Sequence, residues 1–253
     1  MLSPEFALEH YKNAKTENYR HTMSKDIRSI FSEVPETYEL INHILTFGLD
    51  ILWRKRAADI AVKSGGTRWL DICTGTGEMA LYLCRFAKTG TNVYAADFSF
   101  PMLKKAHTKP KGEYIKFLIS DVKKLPFPDN TFDLITISFA TRNLNLSRDI
   151  LIQTFKEFHR ILRVNGRFVN LETSQPSHLL VRKVFRAYLR LSIKPIGSLI
   201  SSSKAGYTYL ANSIPRFYHP EDLKHIMHQA GFRDISIKKL TVGAVAIHKG
   251  IKP

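Results

Sequence analysis

The sequence predicts an α/β fold built on a doubly wound, mostly parallel sheet. Three observations predict it: a glycine loop after a short apolar strand, further buried strands that end at an acidic residue, and helical patterns between them. Parallel strands need such crossovers, and the ligand of such a sheet lies at the carboxyl ends of its strands. The 253 residues, 44% of them hydrophobic, suit a single domain with a substantial core.

The first strand is predicted over Arg68–Ile72, and two glycines spaced by one residue, Gly75 and Gly77, follow it. Glycine lets a backbone turn sharply and approach a ligand closely. A helical pattern begins at Met79, and the free N–H groups at its start point back at the loop. We therefore expect Gly75, Thr76 and Gly77 to hold a cofactor.

Asp71 separates two classes of cofactor. The loop formally matches the dinucleotide fingerprint G-x-G-x-x-G/A through Ala80, but a carboxylate four residues before Gly75 would repel a pyrophosphate. A cofactor with a cationic amino-acid end and no phosphate tolerates that acid. S-adenosylmethionine is such a cofactor, and L-D-x-x-x-G-x-G resembles the first motif of class I methyltransferases. The alternative is a strand–turn–helix corner without a ligand.

Two further acids follow predicted strands. Asp97 ends the strand at 93–97, and its carboxylate can accept both hydroxyls of a ribose or cap the helix that begins near Phe98. Asp121 follows the strand at 115–120 and is a candidate acceptor for the adenine amino group. The next strand, 132–139, is apolar enough for the sheet centre. Asp71, Asp97 and Asp121 would then meet at one edge of the sheet.

The chain is strongly basic, with 38 basic and 22 acidic residues and a formal net charge of +16. No acidic residue occurs between Thr173 and Pro220, and cations alternate there with apolar residues at near-helical spacing. Such a basic amphipathic helix, within the segment 177–216, suits an anionic membrane surface or a cover over an apolar ligand. A surface helix with a solvated basic face explains the same pattern equally well.

The remaining sequence features concern location in the cell, the cysteines and metal binding. No apolar run is long enough to span a membrane, and the N-terminus has no signal or transit pattern, so we expect a cytoplasmic protein, peripheral at most on the inner face of a membrane. Cys73 and Cys84 suit small buried hydrophobes in a reducing compartment. His225 and His228 lie three apart on a predicted helix without a third ligand nearby, and we expect no metal.

From about Phe31 to its C-terminus, the chain resembles the UbiE/MenG-type methyltransferases of ubiquinone and menaquinone biosynthesis. The resemblance is carried by four stretches: Tyr38-Glu39-Leu40-Ile41-Asn42 with Phe47-Gly48 and Leu52-Trp53-Arg54-Lys55; Pro126-Phe127-Pro128-Asp129-Asn130-Thr131-Phe132-Asp133 running into Arg142-Asn143-Leu144; Ile196-Gly197-Ser198-Leu199 with the segment 207–214; and Ala246-Ile247-His248-Lys249-Gly250. The Arg-Asn pair and the C-terminal Ala-Ile-His-Lys-Gly motif are the most specific to the family.

The resemblance implies a Rossmann-like class I methyltransferase with a seven-stranded, mostly parallel sheet, helices on both faces and a helical substrate cover. The cover would comprise the N-terminal segment to about residue 63 and a basic lid insertion at about 177–213. The last two strands, 234–239 and 242–249, would pair antiparallel. The implied reaction is methyl transfer from S-adenosylmethionine to a ring carbon of a polyprenyl quinol, of the demethylmenaquinol or demethoxyubiquinol type.

Site residues are carried over by matching positions. Thr76, Asp97, Asp121, Val122 and Ser138 match the family's cofactor positions, and we add Asp71, Gly75, Gly77 and Phe98 from the loop and strand ends. Tyr38, Arg142 and Asn143 match the positions proposed to act on the substrate. A guanidinium stays protonated, so Arg142 suits a fixed positive fork beside a forming oxyanion, with a water between Arg142, Asn143 and Tyr38 as the proton relay. Without the resemblance, Arg142 reads as a surface ion pair and Asn143 as a turn residue.

Some expectations stay open. Asp50 stands where the family is expected to have a histidine, near Phe47-Gly48. The alternative is a methyltransferase of another lipid-like small molecule or of nucleic acid. The charge fits nucleic acid, although Ser138-Phe139-Ala140-Thr141 stands where base-amino enzymes have an Asp/Asn-Pro-Pro-Tyr motif. A non-catalytic partner subunit is the third class. A homodimer is compatible with the sequence.

Overall fold

The computed structural model describes residues 35–63, 65–200 and 211–253. The strands are β1 (Arg68–Ile72), β2 (Asn92–Asp97), β3 (Ile115–Ile119), β4 (Phe132–Ser138), β5 (Leu162–Thr173), β6 (Arg233–Leu240) and β7 (Val245–Ile251). They form one seven-stranded sheet in the order β3-β2-β1-β4-β5-β7-β6. The strands from β1 to β5 pair parallel, and only β7 pairs antiparallel with its neighbours β5 and β6. The predicted fold class is confirmed.

Helices precede and separate these strands. They are α1 (Pro35–Thr46), α2 (Leu49–Val62), α3 (Glu78–Phe86), α4 (Phe100–Thr108), the single turn α5 (Thr141–Leu144), α6 (Arg148–Ile161), α7 (Leu179–Ile200) and α8 (Pro220–Gln229). Short 3₁₀ turns occupy Gly112–Tyr114, Ile214–Arg216 and Thr241–Gly243. Among the described residues, no helix is both long and apolar enough to cross a bilayer.

The two faces of the sheet bury separate apolar clusters. On one face, Phe168 of β5 packs against Phe155 and Phe158 of α6 and against Phe232, which directly precedes β6. The opposite face buries Trp69, Val169 and Ile247 beneath α2 and α3, where Ala57, Ala58 and Ala61 leave room for close approach. Helices therefore cover both faces, as a mostly parallel sheet requires.

A third apolar cluster joins α1 to α7. Ile41 and Leu45 of α1 pack against Leu189 and Ile193 of α7, and the Tyr188 hydroxyl donates to the Leu45 carbonyl at 2.5 Å. The N-terminal segment and the basic insertion, distant in sequence, thus form one helical layer. The parts of these predicted segments at residues 1–34, 64 and 201–210 lie outside the described residues.

The predicted strands agree with the structure, apart from the start of the last one. The strand predicted from Val242 begins at Val245, because Thr241, Val242 and Gly243 have positive φ angles and form a turn. The final antiparallel pair is nevertheless present. Local backbone conformation at the turn, which apolar alternation does not reveal, accounts for the shift.

Candidate active site

The glycine loop between β1 and α3 follows from the backbone its residues allow. Gly75 and Gly77 have φ angles of +56° and +80°, a region that side-chain-bearing residues seldom adopt. A methyl group on Gly75 would meet nothing within 4 Å, whereas one on Gly77 would lie 2.8 Å from the Cβ of Ala106 in α4. Gly75 therefore leaves space in front of the loop, and Gly77 allows α4 to pack behind it.

Asp71 lies beneath this loop and is completely buried. The hydroxyls of Thr74 and Thr136 each donate to one of its carboxylate oxygens at 2.6 Å. Burial raises the pKa of Asp71 to about 7, against the opposing effects of these two donors and of the charge of Arg54. Asp71 thus braces the loop from below and does not form part of the cleft wall.

Asp97 braces the loop from the side. Its Oδ2 accepts the N–H of Gly75 at 2.8 Å, and its Oδ1 accepts the N–H of Ser99 at 2.9 Å. Ser99, and not Asp97, occupies the N-cap position of α4. One carboxylate at the end of β2 therefore fixes both the glycine loop and the entry to α4.

A cleft opens above these strand ends and encloses about 630 Å³ of empty space, part of it open to solvent. Five predicted cofactor residues and one predicted catalytic residue line it: Gly75, Thr76, Asp97, Phe98, Ser138 and Asn143. The rest of the wall comes from Arg54, Cys73, Thr74, Glu78, Met79, Met102, Phe139, Ala140 and Leu144. The wall therefore combines apolar side chains with a similar number of polar and charged ones, so it can contact both the apolar and the polar parts of a small molecule.

The other predicted cofactor residues lie around the cleft without lining it. Gly77 lies behind the loop, next to Ala106 of α4. Val122 is buried in the apolar cluster on the face of the sheet that α6 and α8 cover. Asp121 is the second residue after β3, is half-buried, and accepts the N–H of Lys123 at 3.1 Å.

Arg142 and Asn143 both lie in the turn α5 that follows β4, and both are buried. Asn143 reaches the cleft wall. The guanidinium of Arg142 makes an ion pair with Glu172, with 3.2 Å between Nη1 and Oε1. The surface ion pair of the alternative interpretation is excluded, because Arg142 is 7% exposed and Glu172 is 1% exposed. Tyr38 lies in α1, and its side chain is outside the described part of the chain.

Charged residues join the N-terminal helices to the glycine loop. Arg54 of α2 places Nη1 2.5 Å from Asp50 and 3.1 Å from Glu78, the first residue of α3. Asp50 also accepts hydrogen bonds from Thr46 and His43. Burial by itself would raise the pKa of Asp50, but these donors and Arg54 hold it below its ordinary value. Asp50, the residue found where a histidine was expected, thus closes the turn between α1 and α2.

Glu39 makes a second connection between α1 and the core. Its carboxylate lies 2.7 Å from the Nζ of Lys109, directly after α4, and hydrogen-bonds to Thr76 in the loop. Although burial opposes it, these contacts keep the pKa of Glu39 below its ordinary value. Helix α1 is therefore in contact with the loop that the sequence predicts to hold the cofactor.

Two cleft residues, Arg54 and Phe139, received no role in the sequence-based prediction. Phe139 has a φ of +55°, which is rare for a bulky residue. The centroid of its ring lies 6.1 Å from that of the Trp53 ring and 5.0 Å from the guanidinium carbon of Arg54. The Trp53 indole N–H donates in turn to Thr241. Unusual backbone strain of this kind clusters at functional sites, but it has no signature in a single sequence.

Cys73 and Cys84, predicted to be small buried residues, are half-buried, and Cys73 lines the cleft. Cys73 and Cys84 are free thiols, and burial raises the pKa of each. His225 and His228 are exposed on α8. His248 is buried, and burial lowers its pKa to about 4, so it is neutral and its ring contacts the Pro220 carbonyl.

One group of described residues has metal-like spacing, namely Glu39, His43 and Glu78. Each of its members is already within ion-pair distance of a partner outside the group: Lys109, Asp50 and Arg54, respectively. We therefore interpret the group as part of the charged connection between α1 and the loop.

Comparison with known proteins identifies a family. The model of the ubiE/COQ5 methyltransferase family matches residues 18–252. A demethylmenaquinone methyltransferase of Thermus thermophilus is 40% identical over 226 residues, which are 88% of this chain and all of that protein. A ubiquinone/menaquinone biosynthesis C-methyltransferase UbiE of Azotobacter vinelandii is 36% identical over 234 residues, 91% of each chain.

Solved structures share the fold at lower identity. A SAM-dependent methyltransferase from Aquifex aeolicus has a TM-score of 0.54 and 18% identity, covering 74% of this chain and 82% of that one. Human N-acetylserotonin methyltransferase in complex with SAM has a TM-score of 0.58 and 16% identity, covering 98% of this chain and 67% of that one. These similarities support the class I methyltransferase fold.

The close packing behind the loop predicts that Gly77→Ala destabilises the protein more than Gly90→Ala. Both glycines have positive φ, so both variants carry backbone strain of about 1 kcal/mol, but only Gly77 faces a neighbour, Ala106. Overpacking should add about 1–3 kcal/mol, measured by urea denaturation. Equal losses in the two variants would contradict the role given to Ala106.

Burial of Asp71 predicts a pH dependence of stability. Because its pKa is raised from 3.8 to about 7 on folding, its contribution is complete below pH 4 and is lost as the pH rises through about 7. At most about 4 kcal/mol is at stake. Asp71→Asn should flatten the fall in unfolding free energy between pH 4.5 and 8, while Asp222→Asn on the surface of α8 should not. A parallel decline in all three proteins would contradict the assignment.

Proposed function

Because the chain belongs to the ubiE/COQ5 methyltransferase family, we propose that it transfers the methyl group of S-adenosylmethionine to a ring carbon of a polyprenyl quinol in menaquinone or ubiquinone biosynthesis. The single observation that carries the proposal is the position of α5. This turn carries the family's Arg-Asn pair: Asn143 lines the cleft formed by the glycine loop and Asp97, and Arg142, the residue before it, is buried.

The cleft residues fit S-adenosylmethionine. The open space in front of Gly75 and the carboxylate of Asp97 at the end of β2 suit a nucleoside, whose ribose hydroxyls an acid at this position can accept. Phe98, Met79 and Met102 offer apolar surface for a base. No cluster of basic side chains lines the cleft to receive phosphates; among its wall residues Arg54 is the basic one, and it is paired to Asp50 and Glu78.

S-adenosylmethionine supplies a methyl group that its sulfonium already activates, so the protein must align the acceptor and make its carbon nucleophilic. A phenol has a pKa of about 10, so stabilising its anion is the main electrostatic task. The Arg142 guanidinium stays charged and suits that task. We assign Asn143, which lines the cleft, to orient the quinol hydroxyl, and we assign Tyr38 to the proton relay.

We propose that α1, α2 and α7 form the substrate cover. Large apolar side chains of α1, α2 and their connecting turn are exposed: Leu40, Ile44, Phe47, Ile51 and Leu52. Exposed apolar surface of this extent is characteristic of a contact site, and a prenyl chain is an apolar ligand of suitable chemistry. The ion pairs of Arg54 and Glu39 connect this layer to the cofactor loop.

We further propose that the outer face of α7 binds an anionic membrane surface, where a polyprenyl substrate resides. Its exposed face carries Leu180, Val184 and Leu191, which are 64–73% exposed, interleaved with Lys183 and Arg190. A helix with only a solvated basic face would not expose three large aliphatic residues in this way. Mixed apolar and basic faces are typical of helices that lie in the membrane interface.

The proposed reaction predicts methyl transfer from labelled S-adenosylmethionine to reduced short-prenyl demethylmenaquinol, demethoxyubiquinol, or both. Product on either acceptor establishes the reaction and names the ring. Failure on both, together with retained cofactor binding, would contradict the quinol proposal. Methylation of RNA or DNA in that case would support the nucleic-acid alternative.

In the same assay, Arg142→Ala should lower kcat by about 10²–10³, the usual cost of losing a donor to a developing oxyanion, while cofactor Kd stays within twofold. Arg163→Ala is the control, because Arg163 also pairs with a carboxylate, Asp133, but this pair lies at the opposite end of β4 from α5. Near-normal turnover of both Arg142→Ala and Tyr38→Phe would contradict the catalytic assignment.

Membrane contact predicts co-sedimentation with vesicles that contain phosphatidylglycerol, weakened by salt and absent with neutral vesicles. A Lys183→Glu/Arg190→Glu double variant should bind at least about 30-fold more weakly, since each lost basic residue near such a surface contributes about 1 kcal/mol and the new carboxylates are repelled. The control, Lys104→Glu/Lys238→Glu, makes the same charge change at exposed positions of α4 and β6 and should bind normally. Equal losses in the two variants would indicate attraction by net charge alone.

A further inference from the structure

Two side chains of β5 hold the turn α5 from the neighbouring strand. Asn170 and Glu172 are two residues apart, so they lie on the same face of the sheet. Asn170 accepts the hydroxyl of Thr141 at 2.5 Å, and Glu172 accepts the backbone N–H of Arg142 at 3.1 Å. Asn170 and Glu172, on one face of β5, therefore hold the two neighbouring residues at the start of the turn, Thr141 and Arg142.

Glu172 contacts the side chain of Arg142 as well as its backbone. Oε2 receives the backbone N–H, while Oε1 accepts Nη1 at 3.2 Å together with the N–H and hydroxyl of Thr173 at 2.7 and 2.8 Å. The Thr173 hydroxyl also accepts Nη1 of Arg142 at 3.0 Å. Thus one buried carboxylate orients both the main chain and the guanidinium of Arg142.

These contacts hold the guanidinium of Arg142 in place but do not use all of its hydrogen-bond donors. Glu172 and Thr173 engage only Nη1, and the buried Nε of Arg142 has no hydrogen-bond partner among the described residues. A buried donor left unpaired is costly, and in native proteins such groups call for an explanation. A ligand oxygen that forms negative charge next to Arg142 would provide that partner.

We propose that Glu172 is a positioning residue for the methyl-transfer reaction, and that it acts by holding Arg142 at the angle at which its free donors meet the quinol oxygen. The inference rests on the proposed function. Glu172 is not assigned as the proton acceptor, because both of its oxygens already receive hydrogen bonds from Arg142 and Thr173. A purely structural ion pair would affect folding alone, which makes the two roles separable.

Glu172→Gln is the first test, because it keeps the shape of the side chain and removes its charge. We expect kcat for the quinol to fall 10- to 100-fold, the usual cost of losing a partner that orients an active-site group, while quinol KM and cofactor Kd change less than twofold. The matched control is Asp133→Asn. Asp133 likewise accepts two backbone N–H groups, from Thr67 and Arg68, and pairs with an arginine, but it lies at the opposite end of β4. It should lower the melting temperature and leave kcat unchanged.

Thr173→Val provides a second, milder test if Glu172→Gln folds poorly. It removes the hydroxyl that contacts both Arg142 Nη1 and Glu172 Oε1 and keeps the volume of the side chain. We expect a three- to tenfold lower kcat with unchanged KM and cofactor Kd.

The outcomes separate this inference from the proposed function. If the unmodified protein methylates neither quinol, the proposed function fails, and the role of Glu172 fails with it. If the unmodified protein is active and the folded Glu172→Gln and Thr173→Val variants keep its kcat, only the positioning role is overturned. It is also overturned if Glu172→Gln is slow while Arg142→Ala is not, because Glu172 then does not act through Arg142.

Discussion

The parallel pairing of β1 with β2 and β4 is the constraint on which the rest of the site depends. The register places Ile72 beside Ala96 and Ile137, so the chain leaves all three strands at the same edge of the sheet. The glycine loop, Asp97 and α5 consequently meet there, although they are far apart in sequence. The parallel pairing of β5 with β4 likewise brings Glu172 within reach of Arg142.

Apolar contacts hold the helices of the helical layer together, and charged contacts join the layer to the glycine loop. Helices α1 and α7 hold each other through apolar contacts of Ile41, Leu45, Leu189 and Ile193. The connection to the cofactor loop is charged, through Arg54 to Glu78 and Glu39 to Lys109. These pairs are largely buried, since the side chains of Arg54 and Glu78 are 7% and 20% exposed and those of Lys109 and Glu39 are 19% and 20% exposed. The helical layer is thus held together by apolar packing and is joined to the loop by ion pairs.

Local signals in the sequence predicted the strands β1 to β4 and the glycine loop, whereas β5 was not delimited and the last strand pair was expected from the family resemblance. Apolar runs that end in Asp71 and Asp97 placed β1 and β2 within one residue of their observed limits. Gly75, Thr76, Asp97, Phe98 and Ser138, which are predicted to bind the cofactor, lie in the cleft wall. The prediction missed Arg54, Phe139 and Glu172. None of these has a local pattern, because their roles depend on residues 24 to 30 positions away or on a backbone angle.

The amino-acid sequence by itself determined the order of strands and helices, the glycine loop and the acids at strand ends, because hydrophobic periodicity and glycine conformation are local properties. Only the tertiary structure decided what surrounds each charge. It placed Asp71 under the loop and not in the cleft wall, paired Arg142 with a buried carboxylate, and paired Arg54 of α2 with Glu78 of α3. The physical reason is that burial and charge pairing arise from groups on different strands and helices, which meet only when the chain is folded.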